Sequence, residues 1–249
     1  MSIDTQKDLE ALKEVGRIVR LVLNEMRKQV RAGVTTAEVD AAGSKVLERE
    51  GARSAPVMIY GFPAATCISV NEEVVHGIPS ERVIAAGDLV KLDVTAEKDG
   101  YIADAAMTIP VIPVSEERLQ LIGCAERAFY QGLLAVRAGN CVNEVGRMVE
   151  REVQRSGFSV IPQLSGHGVG RAIHEEPPVP NYYDSRMRQR LTMGLVLTVE
   201  PIICMGSGRV RKEADGWTIK TEDGGFAAHY EHTVVVTDGA PLLLTAAQD

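Results

Sequence analysis

The sequence predicts an α+β fold that is built from two similar halves around a mostly antiparallel sheet. Apolar residues recur every three or four positions in two separate pairs of segments, and short β-rich segments follow each pair. Residues 30–51 also align with residues 136–157, with eight of 22 positions identical at an offset of 106. Helices grouped apart from hairpin-linked strands indicate an α+β protein.

The composition is that of an ordinary globular protein. The chain has 249 residues, of which 45% are hydrophobic and 24% are charged. No low-complexity segment or linker separates the similar parts, so we expect one domain over residues 1–249, with halves of approximately 1–115 and 116–249. The net charge of -7 gives no overall attraction to nucleic acid or to anionic membranes.

Three further features argue against secreted and membrane-spanning classes. The N-terminus lacks the basic-then-apolar pattern of a secretory signal. No run approaches the roughly 18 apolar residues of a transmembrane helix. The four cysteines are widely spread and lack CxxC spacing: Cys67, Cys124, Cys141 and Cys204. We therefore expect a cytoplasmic protein with mostly reduced thiols that binds neither membranes nor specific nucleic acid.

The first half begins with two predicted helices. The apolar residues of segment 9–30 follow a helical period, and this helix ends near Gly33. A second helix starts at Thr35, which has capping-box spacing to Glu38, and it ends at Gly51.

The second half repeats this order. One helix is predicted over residues 119–136, ending near Gly139, and another over residues 145–153, ending at Gly157. The β-rich or alternating segments, which we predict to be strands, are 66–70, 88–95, 101–111, 195–204, 215–220 and 229–236. We interpret the repeated order of long helix, capped short helix and strands as an internal duplication.

A short hairpin is predicted to bring two aspartates together. Asp93 lies on strand 88–95, on the face opposite its apolar residues, and a turn follows near Lys98 and Asp99. The returning strand places Asp104 nearly opposite Asp93. Facing carboxylates repel each other, so the pair favours a cation site over a solvated edge.

Two glutamates and a histidine give weaker signals of the same kind. Glu200 ends the apolar strand 195–199 and Glu231 lies in a similar setting, where a buried charge is costly unless it is paired or bound to metal. His167 stands between glycines, which allow a ligand to approach the backbone closely. Each glutamate alone is equally compatible with a solvated strand end, and a lone histidine is more often a structural residue than a ligand.

Together these residues offer four carboxylates and one imidazole, without a thiolate. Such a set suits Mn(II), Fe(II) or Co(II) better than a structural zinc site, although Zn(II) is also compatible. Four carboxylates exceed the need of one ion and suit two ions about 3.5–4 Å apart, which can activate a water molecule near neutral pH. The sequence therefore predicts two divalent metal ions as cofactors.

The chain resembles the type I methionine aminopeptidases, and the resemblance covers essentially its whole length. The motifs appear in the family's order and spacing, and they are CISVNEEVVHGIP (67–79), KLDVTAEKDGYIADAAMT (91–108), GHGVGRAIHEEP (166–177), TVEP (198–201) and YEHTVVVT (230–237). This resemblance implies the pseudo-two-fold pita-bread (creatinase/aminopeptidase) fold. It also implies a monomeric enzyme that removes the N-terminal methionine from peptides and nascent chains with a small second residue, with transient ribosome contact.

The resemblance implies a role for each metal-binding candidate. Asp104 and Glu231 match the carboxylates that bridge both ions, and Asp93 matches the ligand of one ion. His167 and Glu200 match the ligands of the other ion. Glu200 also matches the proposed general base.

The resemblance also implies catalytic and substrate-binding residues. His174 matches the histidine that stabilises the tetrahedral intermediate, and His76 matches one that contacts the scissile amide or the substrate backbone beyond it. The positions implied to bind substrate are Ile59, Phe62, Cys67, His76, His174 and Trp217.

Some positions depart from the family pattern. Ile59 stands where many members have Tyr, Ile173 where Phe is frequent, and Pro56 where a small residue is frequent. Ala105-Ala106 replaces a common Thr-Ser after Asp104. Alternatives are therefore an X-Pro aminopeptidase with two metals, or a catalytically weak pita-bread protein that binds a partner.

Overall fold

The computed structural model describes residues 1–246. Its helices are Gln6–Gln29 (α1), Thr36–Arg49 (α2), Ala55–Tyr60 (α3), Glu116–Leu133 (α4) and Val142–Arg155 (α5). The four longer helices confirm the helices predicted from apolar periodicity. The short α3 was not predicted, because six residues are too few to show a helical period.

Local capping fixes the start of both helices in the first pair, whereas α5 begins without a side-chain cap. The side chains of Thr5 and Asp8 form a capping box at α1, and Thr35 and Glu38 form the predicted one at α2. Helices α2 and α5 both have 14 residues and begin 106 positions apart, which is the offset found in the sequence. The two helix pairs therefore repeat in structure as well as in sequence.

The strands are Arg53–Ser54 (β1), Cys67–Val70 (β2), Glu73–Val75 (β3), Leu89–Lys98 (β4), Tyr101–Pro110 (β5), Ser159–Val160 (β6), Ser165–Gly168 (β7), Glu175–Pro180 (β8), Val196–Val199 (β9), Ile202–Cys204 (β10), Val210–Lys212 (β11), Ile219–Thr221 (β12), Ala227–His229 (β13), Glu231–Val235 (β14) and Leu242–Leu243 (β15). The main sheet runs β1-β4-β5-β14-β9-β7-β8, with β2 beside β4 and β15 beside β14. Two small sheets, β13-β10-β6 and β11-β12-β3, flank it. All these pairings are antiparallel, which agrees with the predicted mostly antiparallel sheet.

Both helix pairs cover the same face of the main sheet. Val94 of β4 packs in one core cluster with α1, and Val199 of β9 packs in another with α4 and α5. Direct cross-strand pairing links Val94 to Ala105, Ala105 to His232, and His232 to Val199. Directly paired residues point to the same side of a sheet, so the alternate residues of these strands face away from the helices.

Two predicted strands differ from the observed ones. The predicted strand 195–204 divides into β9 and β10, which lie in different sheets and are separated by Glu200 and Pro201. Proline has no backbone N–H for a central ladder, so the chain leaves the main sheet here. The predicted strand 215–220 begins only at Ile219, because the Asp215 carboxylate accepts hydrogen bonds from the preceding turn.

Within residues 1–246, none of the helices combines the length and apolar character that crossing a membrane requires.

Candidate metal centre and substrate cleft

The β4–β5 hairpin sets the relative position of the first two aspartates. Asp99 and Gly100 occupy a two-residue turn with φ of +51° and +82°, the conformation of a type I′ hairpin. Asp93 consequently pairs with Ala106, whereas Asp104 pairs with Thr95. The expectation that the aspartates lie nearly opposite each other needs correction, because the turn is centred one position later and makes them diagonal neighbours.

The register of the main sheet adds a third carboxylate to the same face. Ala106 pairs with Asp93 on one side and with Glu231 on the other, so these side chains point away from the helices. The Asp104 amide donates to Thr233 Oγ1 at 2.8 Å, and the Thr233 hydroxyl donates to the Asp104 carbonyl at 2.7 Å. The sheet itself therefore holds the carboxylates on one rigid surface.

Strand β9 and the adjoining β7 bring in Glu200 and His167. The Thr198 hydroxyl donates to Glu200 Oε1 at 2.7 Å and accepts from the His167 amide at 3.0 Å. The His167 ring Nδ1 lies 2.9 Å from the Gly168 carbonyl, so Nδ1 carries the proton and the Nε2 lone pair is free. That Nε2 atom lies 3.4 Å from Glu200 Oε1.

The five candidates meet at the floor of one cleft. Asp104, His167 and Glu231 each offer a donor atom within 4.8 Å of the others, and Glu200, His229 and Glu231 form a second such group. The buried atoms Asp104 Oδ1 and Glu231 Oε1 have no hydrogen-bond partner among residues 1–246. Unpartnered buried carboxylate oxygens are costly, and a cation is the partner that their charge requires.

The crowding of carboxylates also changes their acidity. Burial raises the pKa of Glu200 to about 8 and that of Asp104 to about 6. Burial, followed by the neighbouring Asp104 carboxylate, raises the pKa of Asp93 and of Glu231 well above the ordinary range. The metal-free protein therefore disfavours the ionised carboxylates. Divalent metal ions fit this donor set and would stabilise the ionised form.

A cavity of about 570 Å³ opens above these carboxylates. Phe62 and Trp217 form one wall, with their rings edge to face and 5.2 Å between centroids. The other apolar lining residues are Pro56, Cys67, Val75, Leu164, Ile173, Ile202 and Ile219. An apolar side chain would suit this lining, and the backbone attached to it could then lie near the polar floor.

Two more histidines line the cavity. His174 stacks near His167, with 4.3 Å between ring centroids, and its Nδ1 lies 2.8 Å from the Tyr60 hydroxyl. His76 has a left-handed backbone, with φ of +58°, which is uncommon for a non-glycine residue. Both residues remain exposed, yet the walls of the cleft partly remove water from the two rings and lower the pKa of each. Both rings are therefore neutral near pH 7.

The structure brings together all but one of the residues predicted for the site. Ile59 lies outside the cavity lining, and the next residue of α3, Tyr60, lines it instead. Successive helical residues are rotated by about 100°, so only one of the two can face the cleft. Cys67 lies beside Asp93 in the β2–β4 ladder, and burial raises the pKa of its thiol. Ala105 and Ala106 are buried in β5, and neither carries a hydroxyl group that could bond to Asp104.

Several residues of the site were not predicted from the sequence. Thr198 and Thr233 support ligands through hydrogen bonds that depend on strand register. His229 lies two residues before Glu231, a spacing that places alternate residues of an extended chain on one side. That spacing was the available signal for His229, while nothing local indicated Tyr60.

Comparisons with known proteins agree with this geometry. The pattern of Metallopeptidase family M24 matches residues 10–238. Methionine aminopeptidase 2 of Bacillus subtilis is 43% identical over 248 residues, covering 98% of this chain and 99% of the relative. The methionine aminopeptidase of Staphylococcus epidermidis is 40% identical over 252 residues, with both chains fully covered.

Solved structures give the same result. The crystal structure of methionine aminopeptidase from Thermotoga maritima has a TM-score of 0.96 and 34% identity, covering 99% of this chain and all of that one. Prolidase from Pyrococcus furiosus, at 22% identity and a TM-score of 0.79, shares the fold over 66% of its length. The predicted pita-bread fold is therefore confirmed, and the chain belongs to metallopeptidase family M24, where it groups with the methionine aminopeptidases.

Proposed function

We propose that this protein removes the N-terminal methionine from peptides and nascent proteins whose second residue is small. The observation that carries the proposal is a cluster of four carboxylates and one imidazole at the floor of an apolar cavity. Full-length relatives named methionine aminopeptidases support the choice of methionine.

Two divalent ions would be held by the predicted ligand set, which comprises Asp93, Asp104, His167, Glu200 and Glu231. Bound there, the ions would polarise the substrate carbonyl and lower the pKa of the attacking water. The ligands' own contribution is to hold their oxygen and nitrogen atoms in place through the sheet register and the Thr198 hydroxyl. Mn(II), Fe(II) and Co(II) suit this oxygen-rich set, and Zn(II) is also compatible.

Glu200 is the proposed general base. Its carboxylate would take the proton of the attacking water and deliver it to the leaving amine. The hydrogen bond from Thr198 to Oε1, together with the Asn181 amide that donates to the Glu200 carbonyl at 2.9 Å, fixes the orientation of this side chain. A rigid base needs no reorganisation during proton transfer.

Neutral histidines and the apolar lining would position the substrate. With its Nδ1 bound by the Tyr60 hydroxyl, His174 presents an Nε2–H that can donate to the oxyanion of the tetrahedral intermediate. His76 would contact the scissile amide or the backbone beyond it. Phe62, Cys67 and Trp217 would surround the methionine side chain.

A peptide competition tests the proposal directly. Protein stripped with chelator and reloaded with Mn(II) or Co(II) is expected to release methionine from Met-Ala-Ser and to leave Ala-Pro-Ser intact. The reason is that a methionine side chain would contact the apolar lining, whereas the small first residue of Ala-Pro-Ser would leave it unfilled. Products are measured by mass spectrometry, with the chelated protein as the control.

Each other outcome assigns a different function. Cleavage of Ala-Pro-Ser instead would make the protein an X-Pro aminopeptidase. Metal binding without cleavage of either peptide would favour a weakly active protein that binds a partner.

Tyr60→Phe is expected to lower kcat by about three- to tenfold with little change in KM, the effect of losing one hydrogen bond. Without the hydroxyl, the His174 ring can adopt either tautomer and rotate. The measurement is steady-state kinetics with Met-Ala-Ser, and Tyr183→Phe removes an exposed hydroxyl elsewhere as a control. A wild-type kcat in Tyr60→Phe would show that His174 does not depend on this contact.

Nascent chains as substrates would place the enzyme in the cytoplasm, with transient contact to the ribosome, and we retain the expectation that it acts as a monomer. Size-exclusion chromatography with light scattering tests the last point.

A further inference from the structure

His229 is a buried imidazole whose ring the predicted site leaves without a role. Its side chain is only 3% exposed, and in the described part of the chain neither Nδ1 nor Nε2 has a hydrogen-bond partner. The neighbouring buried His232 differs, because its Nδ1 lies 2.8 Å from the Thr245 hydroxyl. Buried polar groups normally have partners, so the His229 ring requires one that is not supplied by the protein.

The ring points at two of the proposed metal ligands. His229 Nε2 lies 3.3 Å from Glu231 Oε2 and 3.9 Å from Glu200 Oε2. Two donors bound to one ion at about 2.1 Å lie roughly 3.0–3.4 Å apart. The His229–Glu231 separation falls in this range, as does the 3.4 Å between His167 Nε2 and Glu200 Oε1.

The backbone holds His229 in this position. It pairs with Ile202 in the β10–β13 ladder. Its amide donates to Thr108 Oγ1 at 2.9 Å, and its carbonyl accepts from the Thr108 hydroxyl at 2.9 Å. The ring is therefore presented by a fixed strand rather than by a mobile loop, which is how a ligand side chain is preorganised.

We propose that His229 is a sixth protein ligand of the metal centre, donating through Nε2 beside Glu231. The inference rests on the proposed function and extends its ligand set to four carboxylates and two imidazoles. A second nitrogen donor makes the site softer, so it should favour Co(II), Fe(II) or Zn(II) over Mn(II) more strongly than the five-ligand set would.

The proton NMR spectrum of the Co(II)-loaded protein tests the assignment. An imidazole bound to Co(II) through Nε2 gives a strongly shifted, exchangeable Nδ1–H signal. Wild-type protein is expected to show two such signals, because both His167 Nδ1 and His229 Nδ1 are buried. His229→Gln should lose one signal and keep the other. The matched control is His232→Gln, which removes a buried imidazole on the other face of β14 and should keep both signals.

Metal affinity gives a second readout that does not depend on activity. By calorimetry, His229→Gln and His229→Leu are expected to bind Co(II) about ten- to hundredfold more weakly, with a smaller loss for Mn(II). The Tm of metal-free His229→Leu should not fall, because the lost ring had no partner. A preserved Tm also shows that this variant folds.

Two results would overturn the proposal. A single shifted imidazole signal in the wild-type protein, or Co(II) affinity within twofold of wild type in both His229 variants, would make His229 a wall of the cavity and leave the metal centre intact. If the wild-type protein bound no Co(II), the proposed function and the sixth ligand would fail together.

Discussion

Replacing Glu200 by alanine is expected to lower kcat/KM for Met-Ala-Ser by about 10³-fold or more. A general base contributes roughly 10²–10⁴-fold to a rate, and Glu200 is also a proposed metal ligand. The Thr198 hydroxyl holds the Glu200 side chain and the Asn181 amide holds its backbone, so the substitution removes a positioned carboxylate. Steady-state kinetics at saturating Mn(II) measures the loss.

A second substitution of this residue, Glu200→Gln, separates the loss of activity from any effect on folding. Burial among other carboxylates raises the pKa of Glu200 to about 8, so the charged form is disfavoured in the metal-free protein. Glu200→Gln should therefore leave the metal-free Tm unchanged or raise it while activity is lost. Glu222→Gln, a surface change, is the control for both measurements. Full activity in Glu200→Ala would refute the assignment of the base.

Local sequence signals were sufficient for the four long helices and for the carboxylates and imidazole of the candidate metal site. Helical period and capping residues gave the four long helices, because these features depend on neighbours three and four positions away. The carboxylates were found because a charge beside an apolar strand is unusual. Such signals do not determine the exact register between paired strands, so the diagonal placement of Asp93 and Asp104 appeared only in the structure.

The site residues that were not predicted from the sequence are positioned by contacts between distant segments of the chain. Tyr60 meets His174 across 114 positions of the chain, and Thr233 supports Asp104 across 129 positions. A strand of two or three residues, such as β13, shows no alternation long enough to recognise. The family resemblance implied that Ile59 lines the pocket, but the orientation of α3 places Tyr60 in the lining instead.

The metal-free protein is expected to lose stability as pH rises from about 4.5 to 8. In the unfolded chain Glu200 titrates near 4.5, whereas in the folded protein its pKa is about 8. Between these values the folded state binds more protons than the unfolded state, so the free energy of unfolding falls with increasing pH. At about 1.4 kcal/mol per pKa unit, this difference lowers the free energy of unfolding by roughly 4 kcal/mol across the window. Given about 2–4 °C per kcal/mol for a chain of this size, we expect Tm to decrease by roughly 8–16 °C.

Metal ions should oppose this loss. Divalent metal requires charged carboxylates, so its affinity and its stabilising effect both increase with pH. A metal concentration of about 100 times Kd contributes roughly 2.7 kcal/mol for each ion bound only by the folded state. We expect saturating Mn(II) to raise Tm by roughly 5–10 °C for each ion at pH 8, and by much less at pH 5. Calorimetric scans with chelator and with Mn(II) measure both effects.

The variant Glu200→Gln identifies the source of the pH dependence. Without this titrating group, the metal-free Tm should vary less between pH 4.5 and 8, while Glu222→Gln should reproduce the wild-type curve. Equal Tm values at pH 5 and pH 8 in the chelated wild-type protein would mean that folding does not raise the pKa values of the carboxylates. In that case the carboxylates would ionise at no cost in the folded protein, and their crowding would no longer indicate that a cation is missing.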